Sequence, residues 1–235
     1  MLFPEPLCPG ILIRRYQRFL ADVALDRGGI VTAHCPNSGS MKGCATPGSP
    51  VLLSVADNPN RKLKYTWELV MAEGVWVGIN TALPNRIVRE GIENGIIREL
   101  QGYMSIRPEV PYGEKSRIDL FLEGPDGRCY VEVKNVTLVE MRTALFPDAV
   151  TTRGQKHLRE LMKMVRQGHR GVIFFVVQRV DGDAVAPADA IDAEYGRLLW
   201  LADQCGVEVL GYQACVTPQQ IALTHRLPVV LAKTA

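Results

Sequence analysis

Six apolar residues in unbroken succession, VIFFVV at 172–177, stand between two stretches of helical character. A strand with one wet face alternates apolar and polar residues, whereas a continuous run needs cover on both faces. The run is far too short to cross a bilayer. Before it lies TTRGQKHLRELMKMVRQG, with Leu158, Leu161, Met162 and Val165 on one helical face. After it come the helical ADAIDAEYGRLLWLADQCG and the strand-like VEVLGYQACV. A sheet strand buried between helices is the expected result, in an α/β domain.

Upstream, the character changes near residue 81. TALPNRIVREGIENG reads as a helix with Pro84 in its first turn and Gly95 closing it. Strand-like stretches follow near 96–108, 116–123 and 128–139, the last two joined by the turn GPDG. The predicted order from 82 is therefore α-β-β-β-α-β-α-β, a mixed sheet. Residues 1–81 show no long helical period; short apolar runs broken by Gly, Pro and Asn suggest a small barrel or sandwich.

The hairpin SRIDLFLEGPDGRCYVEVKNVTLVE (116–140) carries charges inside apolar strands. Glu132 and Lys134 share one face while Val131 and Val133 take the other, and Asp119 on the partner strand is able to join the first pair. Two carboxylates this close repel, and a divalent cation relieves that; hard oxygen ligands suit Mg²⁺ or Mn²⁺. Such an ion lowers the pKa of attacking water, with Lys134 placed to stabilise developing phosphorane charge. The alternative is a solvated sheet face with a Glu–Lys pair.

Net charge is only +2, yet residues 151–170 hold six basic side chains and one acid, Glu160. Lys156, Arg159, Lys163, Arg166 and Arg170 recur at helical spacing on one stripe, which self-repels unless a polyanion offsets it; the plainer reading is the wet side of a helix. In RRYQRF (14–19), Arg14, Arg15 and Arg18 interleave with Tyr16 and Phe19. Tyr16 is the stacking candidate for single strands and Phe19 the core candidate, as are Trp67 and Trp76. HCPNSGSMKG (34–43) either captures phosphate on backbone donors aided by Lys42, or is simply a turn. His34, Cys35 and Cys44 fit no zinc framework. The six cysteines form no close C-x-x-C pair, and the opening MLFPEPLCPG lacks a secretory pattern, so reduced thiols in a cytoplasm are expected.

The D-x(12)-E-x-K spacing within an α-β-β-β-α-β order resembles the PD-(D/E)xK nuclease superfamily, although Ile118 rather than Pro precedes Asp119. More narrowly, HCPNSGSMKG, NTALPNRIV (80–88), SRIDLFLE, YVEVKNVTL and FPDAVTTRGQKHLREL (146–161) resemble the sugar fermentation stimulation protein A family. That resemblance implies an OB-fold-like barrel over 1–81, a nuclease-like α/β domain over 82–235, DNA binding, and a role in regulating sugar catabolism. It implies Asp119 and Glu132 as metal ligands and Lys134 as catalytic lysine. Superfamily members add an acid from the first helix, for which Glu90 is the candidate; an ordinary solvated acid is the alternative. Gln155 is a candidate to orient water or a ligand, or else a buried amide bonded to backbone. His157 either reaches the edge of the site or is structural. Metal-dependent phosphodiester cleavage and non-enzymatic DNA-binding regulation both remain open, as do oligomeric state and the choice between single- and double-stranded DNA.

Overall fold

The computed structural model describes residues 1–58, 60–114 and 116–231. Strands β1 (Cys8–Tyr16), β2 (Leu20–Leu25), β3 (Ile30–His34), β4 (Pro50–Val55) and β5 (Tyr65–Ala72) lie in the order β3-β2-β1-β4-β5. Parallel pairing of β3 with β5, Ala33 opposite Tyr65, closes them into a five-stranded barrel. β6 (Val75–Gly78) adds to the far side of β5. Alternation decides what fills the barrel: Ala21, Val23 and Leu25 of β2 all point inward, onto Leu12, Leu53 and a fully buried Trp67.

The second half begins with α1 (Pro84–Glu93), started by its proline and ended at Gly95, whose φ of +73° is open to glycine without strain. There follow β7 (Ser105–Tyr112), β8 (Ser116–Gly124), β9 (Gly127–Val136), β10 (Leu138–Glu140) and β11 (Thr143–Phe146). After them come α2 (Thr152–Arg166), β12 (Arg170–Val177), β13 (Ala184–Pro187), α3 (Ala193–Gln204), β14 (Glu208–Val216) and β15 (Ile221–Leu227). Six of these strands form one mixed sheet in the order β15-β14-β12-β9-β8-β7, with β12 parallel to both β9 and β14. β10, β11 and β13 make a small separate sheet.

The apolar run behaves as its lack of alternation predicts. Val172, Phe174 and Val176 of β12 pack with α1, while Ile173, Phe175 and Val177 pack with α2 and α3 on the other face. The barrel joins the first of these cores through Leu52 and Leu69. Among the described residues no helix is long and apolar enough to cross a membrane.

Polar contacts hold barrel and sheet together. Arg179, only 2% exposed, donates to Glu73 of the barrel at 2.6 Å, to Asp181, and to the Thr137 carbonyl at 3.0 Å. Asp148 accepts the Met41 amide at 2.8 Å, and Ser40 donates to the Asp148 carbonyl at 2.6 Å. These clasps fix the walls of the cleft described next.

Candidate active site

A cleft of about 640 Å³ opens where the 37–40 loop of the barrel, the start of α1, the ends of β8 and β9, and the start of α2 meet. Asp119, Glu132 and Lys134 all line it. The β8–β9 ladder runs from Gly124–Gly127 to Leu120–Val131. Next to that end, Asp119 Oδ2 takes the Val133 amide proton at 2.7 Å, the place a carbonyl would hold in a continued ladder. Asp119 Oδ1 accepts from Asn85 Nδ2 at 3.0 Å. The aspartate is thereby oriented by one backbone and one side-chain donor, both neutral.

Glu132 lies on the opposite face of β9 from Val131 and Val133 and is 2% exposed. Its Oε1 receives Lys134 Nζ at 2.7 Å and also Nδ1 of His157. Arg153 Nε donates to His157 Nε2 at 3.4 Å, so that nitrogen is an acceptor and the proton resides on Nδ1, pointed at the glutamate. Lys134 supplies a full countercharge. Glu132 Oε2 is buried with no hydrogen-bond partner.

Electrostatics separate the two acids. Burial, with the Glu132 charge beside it, pushes the Asp119 carboxyl up to about 6. Burial acts on Glu132 in the same sense, but Lys134 and His157 outweigh it and hold that carboxyl below its ordinary value. One carboxylate is thus secured as an anion, and the other gains most from a further positive charge. Among the described residues no three His, Cys, Asp or Glu side chains converge on a common point. The oxygen donor set at this site is two carboxylates, Asp119 and Glu132. A hard divalent cation fits it, since the orphaned Glu132 oxygen is buried in the cleft without any donor.

Four sequence expectations need correction. Glu90 is not brought to this cluster; its carboxylate holds the Met1 amino group at 2.7 Å and Arg86 at 2.9 Å. The reason is helical geometry: five residues after Asn85, it is about 7.5 Å further along α1 and turned away. Gln155 instead donates to Asp192 at 2.9 Å, the residue that caps α3. Two residues apart on a helix point to nearly opposite sides, so His157 faces Glu132 and Gln155 cannot. Phe19 is 47% exposed, not core. Trp76 is only partly buried, at the edge of the core shared with α1.

The basic residues are dispersed in their roles. Arg14 pairs with Asp22 at 2.8 Å and lies over the Tyr16 ring at 4.8 Å, and Tyr16 itself donates to Asp22. Arg15 is a structural clamp, donating to the carbonyls of Asn37, Gly39 and Ser40. Arg18 is exposed at a φ of +63°. Lys42 pairs with Glu140 at 2.8 Å, and the donors of its loop are largely taken by Asp148 and Asn37.

On α2 part of the stripe is paired, by carboxylates from within the helix and from outside it. Arg159 pairs with Glu194, and Lys163 with Glu160 and Glu114. Lys156 donates to the Glu114 carbonyl, and Arg166 is exposed. Arg170 does not belong to the helix: it opens β12 and pairs with Glu208. Asn85, Arg153 and Asp148 belong to the cleft; they lie within NTALPNRIV and FPDAVTTRGQKHLREL, but the sequence reading gives them no role. The available signal is that Asn85 sits in the first turn of α1, the end nearest the strand termini.

Two family models match the chain: the sugar fermentation stimulation protein RE domain over residues 82–220, and its N-terminal OB domain over 13–79. The sugar fermentation stimulation protein homolog of Geobacter sulfurreducens is 74% identical over 230 residues, covering 98% of this chain and 99% of that protein. The homolog of Shewanella loihica is 53% identical over 234 residues, covering 98% and 100%. The solved structure of Pyrococcus furiosus SfsA in complex with Ca²⁺ superposes with a TM-score of 0.90 at 28% identity, covering 98% of each chain. Closed barrel, mixed sheet and sequence agree along the whole length, and the chain belongs to the sugar fermentation stimulation protein family.

Proposed function

We propose that this chain binds DNA in the cleft and hydrolyses phosphodiester bonds there with a divalent cation, Mg²⁺ or Mn²⁺, held by Asp119 and Glu132. The observation that carries this reading is the buried, unpartnered Oε2 of Glu132 beside an aspartate whose ionisation is disfavoured. Both features cost stability in the bare chain and are relieved by a cation. The related Pyrococcus protein was solved with Ca²⁺, another hard divalent ion, which supports the same choice. The α-β-β-β-α-β order with Asp, Glu and Lys on its central hairpin supports hydrolysis, and an OB barrel beside it supports nucleic-acid binding.

The residues divide the work. Asn85 and the Val133 amide fix the plane of the Asp119 carboxylate, and His157 and Lys134 hold Glu132 by one oxygen so that the other faces inward. When bound, the cation neutralises phosphate charge and acidifies a water molecule. Lys134, a side chain 12% exposed on the cleft wall, stabilises negative charge developing on the phosphorus oxygens. Labelled single- and double-stranded DNA incubated with Mn²⁺ tests this. Cleavage is expected in the native chain and absent in Glu132→Ala and Lys134→Ala; cleavage persisting in both variants overturns the reading.

One observation favours the second reading, DNA binding without turnover: Lys134 already neutralises Glu132 at 2.7 Å. It predicts DNA affinity indifferent to chelator and no product with any divalent ion.

A further inference from the structure

The cleft has a neighbour. A second hollow of about 510 Å³ is lined by Arg117, Arg153 and Lys156, together with Glu109, Ser116 and His157. Glu109, Arg153 and His157 line the carboxylate cleft as well, so the two are separated only by shared side chains.

The three cations of this hollow outnumber its one acid, Glu109. Among the described residues, none of its three cations lies within ion-pairing distance of a carboxylate; their polar contacts are to neutral acceptors. Arg117 donates to the Glu109 carbonyl at 2.7 Å, Lys156 to the Glu114 carbonyl at 2.6 Å, and Arg153 to the imidazole of His157. Farther along α2 and onto β12 the pattern reverses, with Arg159, Lys163 and Arg170 each meeting a glutamate. Cations that a protein has already paired offer little to a polyanion. Three that meet only neutral oxygen and nitrogen offer both field and free N–H donors, and the guanidinium fork matches phosphate geometry.

We infer that the Arg117–Arg153–Lys156 hollow seats a backbone phosphate of the bound DNA strand, adjacent to the phosphate handled at Asp119 and Glu132. The strand accordingly leaves the cleft between β7–β8 and the first turns of α2, not along the outer stripe of α2. This rests on the reading that the cleft takes DNA, and it adds the strand's path and two residues, Arg117 and Arg153, that neither the α2 stripe nor RRYQRF includes.

Fluorescence anisotropy of a labelled oligothymidylate, read across a KCl series in EDTA, tests the inference independently of catalysis. The variant Arg117→Gln/Lys156→Gln spares Arg153, which touches His157. It is expected to bind more weakly, with the slope of log affinity against log salt reduced by about 0.7, the value for the one single-strand phosphate no longer neutralised. Lys156→Gln alone weakens binding and lowers the slope by a part of that, a readout that survives should the double variant fold poorly. Arg159→Gln/Lys163→Gln leaves affinity and slope at native values. An unchanged slope in the first two variants, or an equal loss in the last, overturns the path while leaving DNA binding by the cleft intact. Failure of the native chain to bind any oligonucleotide removes both.

Discussion

The carboxylate of Asp119 accepts the amide proton of Val133 at 2.7 Å, across the point where the β8–β9 ladder ends. A side chain thus stands in for a strand. The substitution leaves the two strands spread enough for a cleft to form, yet keeps the backbone donor satisfied, as a buried N–H requires. It also turns the carboxylate toward the glutamate one residue before Val133, so the fold itself creates the charge problem that a cation would solve.

That problem has a pH signature. Asp119 titrates near 6 in the folded chain, against about 3.9 unfolded. The folded state therefore binds the proton more tightly. The stabilising effect is complete below about pH 4 and is lost as pH rises through about 6. Chemical denaturation of the metal-free native chain and of Asp119→Asn is expected to show the difference moving in favour of the variant between about pH 4 and 7, by up to about 3 kcal/mol. Because proton and cation compete for the same oxygens, the rise in Tm produced by Mn²⁺ shrinks as pH falls through about 6.

Residues of α1 are expected to separate cleanly. Asn85→Ala removes a donor that favours the charged form of Asp119, so Mn²⁺ affinity falls several-fold, equivalent to about 1 kcal/mol. Glu90→Gln weakens a partly buried pair with the Met1 amino group and a surface pair with Arg86, and leaves Mn²⁺ affinity unchanged. Isothermal titration calorimetry reads both.

The same logic divides α2. His157→Ala deprives a buried carboxylate of a donor; it is expected to lower Mn²⁺ affinity and cleavage together and to reduce stability by about 2 kcal/mol. Gln155→Ala loses its bond to Asp192 at the start of α3, costing about 1 kcal/mol in urea unfolding with no change in metal affinity.

Much of this is legible in the chain itself. The unbroken VIFFVV run announces a strand covered on both faces, and β12 packs its alternate residues into two cores. Pro84 and Gly95 mark α1, and the interleaved Glu132 and Lys134 mark the strand that carries the charged cluster. What stays hidden depends on contacts between distant segments. The α2 stripe reads as a nearly lone basic surface because two of its partners, Glu114 and Glu194, come from other elements, and only Glu160 lies on the helix itself. Arg15 reads as a ligand-binding cation, although it spends its guanidinium on loop carbonyls more than twenty residues away. Glu90 and Gln155 are plausible by residue type; helix phase, fixed only by packing, turns both elsewhere.

The clasp between barrel and sheet carries its own expectation. Asp148→Ala leaves the Met41 amide without its acceptor, while Ser40 keeps its bond to the residue 148 carbonyl, so thermal stability drops by about 1–3 kcal/mol. Lys42→Ala, which breaks an exposed pair with Glu140, costs less than about 1 kcal/mol. Differential scanning calorimetry of the two variants compares a part-buried bridge with a surface one.

The most direct test of the account is whether Asp119 and Glu132 hold a cation together. Calorimetric titration of Mn²⁺ into the native chain at about pH 8, where both carboxyls are ionised, is expected to give one saturable site. That site is abolished in Glu132→Gln and in Asp119→Asn while both variants remain folded by circular dichroism. Identical isotherms for the native chain and the two variants, or none with measurable heat and no change in Tm at saturating Mn²⁺, would contradict it.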